Sequence, residues 1–197
     1  MATLPKRAVF LDRDGTINED PGYLSKIEQF IFLPQALAAL NLLQEAGFAL
    51  VVLTHHSGLA RGYFTIEDLD KVHGYMEECL VQEGIKLNGV YYCPHHPEKG
   101  LPQYLQQCAC RKPGIALLEQ AAQELGIDLA QSYMVGDKMS DIGAGSQAGC
   151  KTVLVLTGEG EKTLSKQATW KYQPSQVADN LYLAAQWILD DSGRGKK

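Results

Sequence analysis

The chain contains 197 residues, of which 45% are hydrophobic and 21% charged, and its formal net charge at pH 7 is −5. This composition is ordinary for a globular protein and argues against disorder, collagen-like repeats and coiled coil. No apolar run approaches the roughly 18 residues of a membrane span, and residues 1–10 lack the apolar core of a secretory signal. Basic residues are dispersed, which argues against general nucleic-acid binding. We therefore expect a cytoplasmic, monomeric protein that binds neither membranes nor nucleic acids.

Strand-like and helix-like patterns alternate along the chain. The apolar run Ala8–Leu11 predicts a buried strand, and leucines at helical spacing after Pro34 predict a helix that ends at Gly47. Thr65 and Asp68 form a capping pair that predicts a second helix, which runs to about residue 83. Further strands are predicted at residues 48–53, 89–92, 133–135 and 151–156, and further helices at residues 113–126, between the last two strands, and at about residues 179–190, capped by Asp179.

This alternation predicts the fold class. An α/β chain of this pattern forms a doubly wound, mostly parallel, Rossmann-like sheet with helices on both faces, and we expect residues 1–197 to form a single domain. Only short insertions separate the predicted strands, so we expect no large cap domain. The segments 18–32, 93–112 and 157–175 are predicted to be irregular. Ligands of such sheets bind at the carboxyl ends of the strands, so functional residues are expected there.

Acidic residues follow two of the predicted strands. Asp12 and Asp14 leave the first strand two residues apart, and Asp137 follows the fourth strand. Since the ends of neighbouring parallel strands can lie side by side, we expect these carboxylates to meet. Like charges so close need a cation, and an oxygen site with positions open for a phosphate suits magnesium. We therefore predict that Asp12, Asp14 and Asp137 bind Mg²⁺.

The run Asp12, Arg13, Asp14, Gly15, Thr16 directly behind an apolar strand resembles the DxDGT signature of the haloacid dehalogenase-like (HAD) phosphohydrolase superfamily. The resemblance implies that the first Asp is a nucleophile attacking phosphorus. It implies that the second Asp is the general acid and then the general base. A carboxylate nucleophile divides a difficult displacement into two easier steps through an aspartyl phosphate.

Two further positions match the same superfamily. Thr54 directly follows the second strand and Lys112 stands before the helix that Pro113 opens, so the resemblance implies that both stabilise the transferring phosphoryl group. We interpret Lys138 as a substrate or phosphate contact. Asp141 is interpreted as a residue behind the site, with a helix cap as the alternative.

A group of cysteines predicts a second metal. Cys93, His95, Cys108 and Cys110 form a C-x-H pair followed, after a loop, by a C-x-C pair. Three thiolates and one imidazole suit structural, four-coordinate zinc, and the loop 93–110 leads directly into Arg111 and Lys112. His96 is an alternative ligand. Of the five cysteines, the other two, Cys79 and Cys150, are interpreted as small core residues, and the odd number argues against a disulfide framework.

Longer runs narrow the resemblance within the superfamily. The segments YYCPHHP, CACRKP and SYMVGD closely resemble the D-glycero-D-manno-heptose 1,7-bisphosphate 7-phosphatases over about residues 8–156, and the related histidinol-phosphate phosphatases share the zinc loop. The resemblance implies hydrolysis of the C7 phosphate of the heptose bisphosphate, with Arg111 binding the far phosphate. It implies the following substrate-binding residues: Arg13, Asp20, Pro21, Gly22, Tyr23, His55, His56, Ser57, Arg111 and Lys138.

One departure leaves alternatives open. The family continues its second motif as Thr-Asn-Gln-Ser-Gly, whereas this chain has His55 and His56 in place of the two amides. Histidinol phosphate or another small sugar phosphate therefore stays an alternative substrate. A metal site formed by the two imidazoles is a less favoured alternative for their role. A dinucleotide site at Gly143, Gly145 and Ala148 fails because this motif does not open a helix directly after a strand. A zinc-stabilised binding module without activity would leave the ordered acids, Thr54 and Lys112 unexplained.

Overall fold

Six parallel strands form the sheet of this protein, whose computed structural model describes residues 6–194. The order across the sheet is β3-β2-β1-β4-β5-β6, so β1 is central and the topology reverses beside it. Every strand pair is parallel. The strands are β1 (Ala8–Leu11), β2 (Ala49–His55), β3 (Gly89–Cys93), β4 (Tyr133–Gly136), β5 (Lys151–Val155) and β6 (Gln176–Ala178). The predicted α/β, doubly wound fold class is confirmed.

Helices cover both faces of this sheet. They are α1 (Ala36–Glu45), α2 (Ser57–Ala60), α3 (Ile66–Gln82), α4 (Ala116–Leu125), α5 (Met139–Gln147), α6 (Gly160–Leu164) and α7 (Leu181–Asp191). Short 3-10 turns occupy Ile27–Gln29, Leu129–Gln131 and Gln167–Thr169. None of the helices that the structure describes is long and apolar enough to cross a lipid bilayer.

The central strands are buried on both faces, because alternate side chains point in opposite directions. Val9 and Leu11 of β1 pack with α1, α3 and α7 on one face. Ala8 and Phe10 pack with α4 and α5 on the other. This double burial explains why β1 reads as a continuous apolar run rather than an alternating one.

Local capping signals fix several helix ends as predicted. The Thr65 hydroxyl accepts from the Asp68 amide at 3.2 Å, and the Asp68 carboxylate accepts from the Thr65 amide at 3.1 Å, which starts α3. Helix α4 ends at Gly126 with φ of 68°, a left-handed conformation that glycine adopts without strain.

Three details differ from the sequence prediction. The Asn180 side chain, not that of Asp179, caps α7 by accepting from the Leu183 amide at 3.0 Å. Both residue types cap well, so sequence cannot separate adjacent candidates. Strand β6 was not predicted, because three residues give too short a pattern. The short helices α2 and α6 were also not predicted, and α6 lies in a segment expected to be irregular.

Candidate active site

The carboxyl ends of three neighbouring strands bring Asp12, Thr54 and Asp137 to one edge of the sheet. Leu11 of β1 lies in register with Val52 of β2 and Val135 of β4. The chain positions that follow these strands therefore meet at one edge of the sheet. There the residues Asp12, Thr54 and Asp137 are 5%, 2% and 0% exposed, respectively.

Lys112 connects this edge to the loop that precedes α4. Its buried Nζ lies 2.7 Å from Asp12 Oδ1 and 2.6 Å from Asp141 Oδ1. The ammonium also donates to the Leu53 carbonyl at 2.8 Å. Burial alone would lower the pKa of Lys112, but Asp12 and Asp141 outweigh it and raise that pKa. The lysine is therefore a fixed cation at the base of the site.

Carboxylates crowd the space beside this lysine. Ligand atoms of Asp12, Asp137 and Asp141 all lie within 4.8 Å of one another. Asp137 Oδ2 accepts from the Glu159 amide at 2.8 Å, while its Oδ1 is buried without a hydrogen-bond partner among residues 6–194. Burial and the negative charge of Asp12 raise the pKa of Asp137 to about 7. This arrangement favours a bound cation, which would remove the repulsion.

Asp14 faces a different set of partners. Arg13 donates to its carboxylate from Nε at 3.0 Å and from Nη2 at 2.9 Å, and Asn18 Nδ2 donates at 2.9 Å. Burial raises the pKa of Asp14, but the charge and hydrogen bonds of Arg13, with that of Asn18, lower it overall. The Asp14 carboxylate is thus outside the cluster of Asp12, Asp137 and Asp141, and its predicted ligation of magnesium stays a prediction.

Two glycines allow the backbone to pass close to Asp137. Gly15 adopts φ of 83° and Gly158 φ of 57°, and a Cβ atom at either position would collide with the Asp137 carboxylate. The Thr157 hydroxyl also donates to the Gly15 carbonyl at 2.7 Å. Only glycine fits at position 15, which explains why the fourth residue of the DxDGT motif is glycine.

A cavity of about 360 Å³ opens above Asp12, Asp14 and Thr54. Most of the predicted substrate residues line it, namely Asp20, Gly22, Tyr23, His55, His56, Ser57 and Lys138. Five further lining residues were missed by the sequence analysis: Leu24, Gly58, Arg61, Phe64 and Glu159. Gly58 ends the second motif but was not assigned to the site, and no motif marks the other four, which come from turns and loops whose course the sequence pattern does not reveal.

Two cationic side chains lie at or beside the cavity. Lys138 Nζ lies 3.3 Å from Asp20 Oδ2 and 3.7 Å from Asp137 Oδ2. Arg111 donates to the His95 carbonyl at 3.0 Å and to the Ser57 hydroxyl at 3.2 Å. Arg111 thereby joins the zinc loop to the start of α2.

Three predicted substrate contacts lie outside the cavity lining. Pro21 is exposed, Arg13 is completely buried behind Asp14, and Arg111 lies beside the lining residue Ser57. Their contacts with substrate stay predictions.

The predicted zinc ligands converge in the structure. Cys93 Sγ lies 3.5 Å from Cys108 Sγ and 3.0 Å from Cys110 Sγ, and His95 Nδ1 lies 3.4 Å from Cys110 Sγ. A tetrahedral zinc with bonds of about 2.3 Å to sulfur separates its ligand atoms by about 3.7 Å, close to these values. His96 is turned away, since its Nδ1 accepts from the Glu98 and Lys99 amides at 3.1 Å. The donor set therefore fits zinc through His95.

The remaining glycine and cysteine signals have structural explanations. Gly143 and Gly145 lie inside α5, where added Cβ atoms would press on Pro113 and on Met134 respectively. Gly145 thus lets α5 approach the sheet closely and Gly143 lets it pack against Pro113, which explains the dinucleotide-like spacing without a ligand. Cys150 is buried in the core, as predicted, while Cys79 on α3 is half-buried.

Comparison with known proteins places this site in a family. The HAD-hydrolase-like family model matches residues 109–184. The chain is 49% identical over 164 residues to the D-glycero-beta-D-manno-heptose-1,7-bisphosphate 7-phosphatase of Haemophilus ducreyi, covering 80% of this chain and 90% of that protein. It is 46% identical over 153 residues to the enzyme of the same name from Escherichia coli K12, covering 77% and 80%.

A solved structure agrees with these relatives. The D,D-heptose 1,7-bisphosphate phosphatase from B. bronchiseptica, complexed with magnesium and phosphate, superposes with a TM-score of 0.83. It is 35% identical, and the alignment covers 94% of this chain and 99% of that chain. The chain therefore belongs to the HAD-like phosphatase family.

Proposed function

We propose that the protein is a magnesium-dependent phosphatase that removes the C7 phosphate of D-glycero-D-manno-heptose 1,7-bisphosphate. The observation that carries this proposal is the Asp12 carboxylate at the cavity, held at 2.7 Å by the buried ammonium of Lys112. One carboxylate oxygen is engaged by Lys112, which leaves the other to attack phosphorus. The named relatives, at up to 49% identity, support the choice of substrate.

The reaction proceeds in two displacements on phosphorus. In the first, a bond forms between Asp12 and phosphorus as the bond from phosphorus to the C7 oxygen breaks, and Asp14 gives its proton to that oxygen. In the second, water attacks phosphorus, Asp14 takes the water proton, and the bond to Asp12 breaks. Inorganic phosphate leaves and Asp12 is regenerated. Thr54 and Lys112 stabilise the phosphoryl oxygens during both displacements.

Asp14 must hold a proton for the first displacement. In the structure Arg13 and Asn18 lower its pKa. An anionic phosphate group entering the cavity acts in the opposite direction, because a nearby negative charge favours the protonated carboxyl group. Substrate binding thus prepares Asp14 as an acid, and departure of the alkoxide prepares it as a base.

Magnesium fits the carboxylate cluster. Asp12 and Asp137 would hold it, since Asp137 Oδ1 is buried without a hydrogen-bond partner among the described residues and its pKa is raised to about 7. Asp141 is already paired with Lys112 at 2.6 Å. When bound, the ion neutralises charge between the anionic nucleophile and the anionic phosphate.

Zinc fits the loop 93–110 as a structural ion. Burial and the neighbouring Cys110 thiol raise the pKa of Cys93, so the clustered sulfurs need a cation to ionise together. The loop ends at Arg111 and Lys112, so zinc would fix the position of both cations. Arg111 lies beside the cavity-lining Ser57, which supports its assignment to the far phosphate of the substrate.

Monomeric state and cytoplasmic location stay predictions from the sequence.

The test is phosphate release in the presence of magnesium from both anomers of the heptose bisphosphate, from histidinol phosphate and from an aryl phosphate. Clear preference for a heptose bisphosphate supports the proposal. Preference for histidinol phosphate would contradict it and would assign specificity to His55 and His56. No release from any substrate would contradict phosphatase activity.

A further inference from the structure

Two imidazoles, of which His56 lines the cavity, lie buried side by side. His56 precedes α2 and His73 lies within α3, and they are 4% and 7% exposed. Their ring centroids are 5.5 Å apart, and the Tyr92 ring lies 6.0 Å from His56 and 5.9 Å from His73. The remaining buried residues of α3 are apolar, among them Leu69 and Met76. A polar side chain on this face is unusual and calls for a partner.

Three buried polar atoms of His56, His73 and Arg13 lack hydrogen-bond partners in the described part of the chain. They are Nε2 of His56, Nε2 of His73 and Nη1 of Arg13. Arg13 itself is 0% exposed, and its other donors, Nε and Nη2, both bind the Asp14 carboxylate. An unpaired buried polar group is unfavourable, and Arg13 holds Asp14, which lines the same cavity as His56, so these atoms are placed to share one interaction.

The protonation states of His56 and His73 make them acceptors for the donors of Arg13. Burial and the nearby Arg13 lower the pKa of His73 to about 3, and the same causes lower the pKa of His56. Both rings are therefore neutral at pH 7, and each has one nitrogen that accepts a hydrogen bond. Guanidinium has only donors, so Arg13 is the complementary partner of the two imidazoles.

We infer that His73, together with His56, is a positioning residue that accepts a hydrogen bond from Nη1 of Arg13 and so fixes the Arg13–Asp14 pair. The contact forms by rotation of the side chains or through one bridging water molecule. The inference rests on the proposed function, in which Asp14 transfers the proton.

Helix α3 is a suitable support for this contact. Its start is fixed by the capping box of Thr65 and Asp68, and Val72 and Met76 beside His73 are fully buried. A side chain held by such a helix restricts the guanidinium that it binds. Small displacements of an acid or base reduce turnover strongly, so the effect should appear in kcat.

The experiment compares His73→Leu, which removes the acceptor, with His73→Gln, whose amide oxygen reaches as far as Nε2. Both residues favour helix, so α3 should form in each variant. Tyr92→Phe is the matched control, because it keeps the ring against both imidazoles but leaves Arg13 untouched. The assay measures kcat and KM with magnesium and an aryl phosphate, so it does not depend on the identity of the sugar.

We expect His73→Leu to lower kcat about tenfold with KM within about twofold of wild type, because Asp14, the base that takes the water proton when the aspartyl phosphate is hydrolysed, is displaced while binding is kept. His73→Gln should recover most of kcat, and Tyr92→Phe should match wild type. Equal kcat in His73→Leu and wild type would overturn the inference. So would equal losses in the Leu and Gln variants, or a loss confined to KM.

Two further outcomes are distinguishable. If His73→Leu does not fold, His73→Met provides the same comparison of acceptor against no acceptor, because it also fills the space without a polar atom. A wild type that is inactive on the aryl phosphate and on every sugar phosphate would contradict the proposed function itself. An active wild type with unaffected His73 variants would contradict only the positioning role.

Discussion

The Lys112 ammonium lies 2.7 Å from the Asp12 carboxylate, although 100 residues separate the two in the chain. The same ammonium contacts Asp141 on α5 and the Leu53 carbonyl at β2. One lysine therefore connects β1, β2 and α5 at the point where we propose that phosphorus is attacked. Its removal should affect stability and catalysis together.

Lys112→Met should lower the free energy of unfolding by about 3–5 kcal/mol, because it leaves buried carboxylates without their cation. It should also abolish measurable phosphate release. Urea unfolding with and without magnesium measures the first effect, and we expect magnesium to stabilise the variant more than wild type. Lys71→Met is the control, since that lysine is exposed and pairs with Asp68 only at 3.8 Å. Equal stability of the Lys112 variant and wild type would contradict the structure.

Asp12→Asn should reduce phosphate release by at least about a thousandfold while leaving the fold intact. An amide cannot form the phosphoryl intermediate, but it fills the same space. Lys112 keeps Asp141 as a partner, so no buried charge is left unpaired. Turnover and circular dichroism are the measurements, and Asp70→Asn on the exposed side of α3 is the control. Retained turnover in Asp12→Asn would refute the proposed nucleophile.

Cys108→Ala should lower zinc content, melting temperature and phosphate release together. The loop 93–110 leads directly into Arg111 and Lys112, so loosening it should disturb the phosphoryl contacts as well as the fold. Metal analysis, thermal unfolding and turnover are measured on the same samples. Cys79→Ala is the control, because Cys79 lies on α3 outside the cluster. A wild type purified without zinc that is as stable as the zinc-loaded protein would contradict the structural role.

The parts of the site that sequence predicted best are those fixed by the sheet. Asp12 and Asp137 follow central strands and Thr54 lies near the end of β2, and parallel strands bring such positions to a common edge. The cluster of Cys93, His95, Cys108 and Cys110 could be predicted because its chemistry and paired spacing need no knowledge of the fold. For the acids the local motif was combined with the rule that parallel strand ends meet, and for the cysteines the spacing was combined with the ligand preference of zinc.

The parts that sequence missed depend on three-dimensional packing. Arg61 lines the cavity because α2 turns there, and the four residues of that helix are too few for a periodic pattern. The direction of Arg13 could not be predicted, since the motif does not reveal that it points behind Asp14. His73 carries no signal at all in the sequence, because its partners come from separate elements.

The burial of His73 also predicts a dependence of stability on pH. Its pKa is about 3 in the folded protein and near 6.5 when unfolded, so the unfolded chain binds the proton more readily. The stability due to the neutral ring is complete above about pH 6.5 and is lost as pH falls towards 3. The loss at pH 5 is roughly 2 kcal/mol of unfolding free energy. Glutamine does not titrate, so His73→Gln should lose less stability than wild type between pH 7.5 and pH 5. Urea unfolding at both values measures this, and zinc loss affects both proteins alike; equal losses would show that the imidazole is protonated in the folded state.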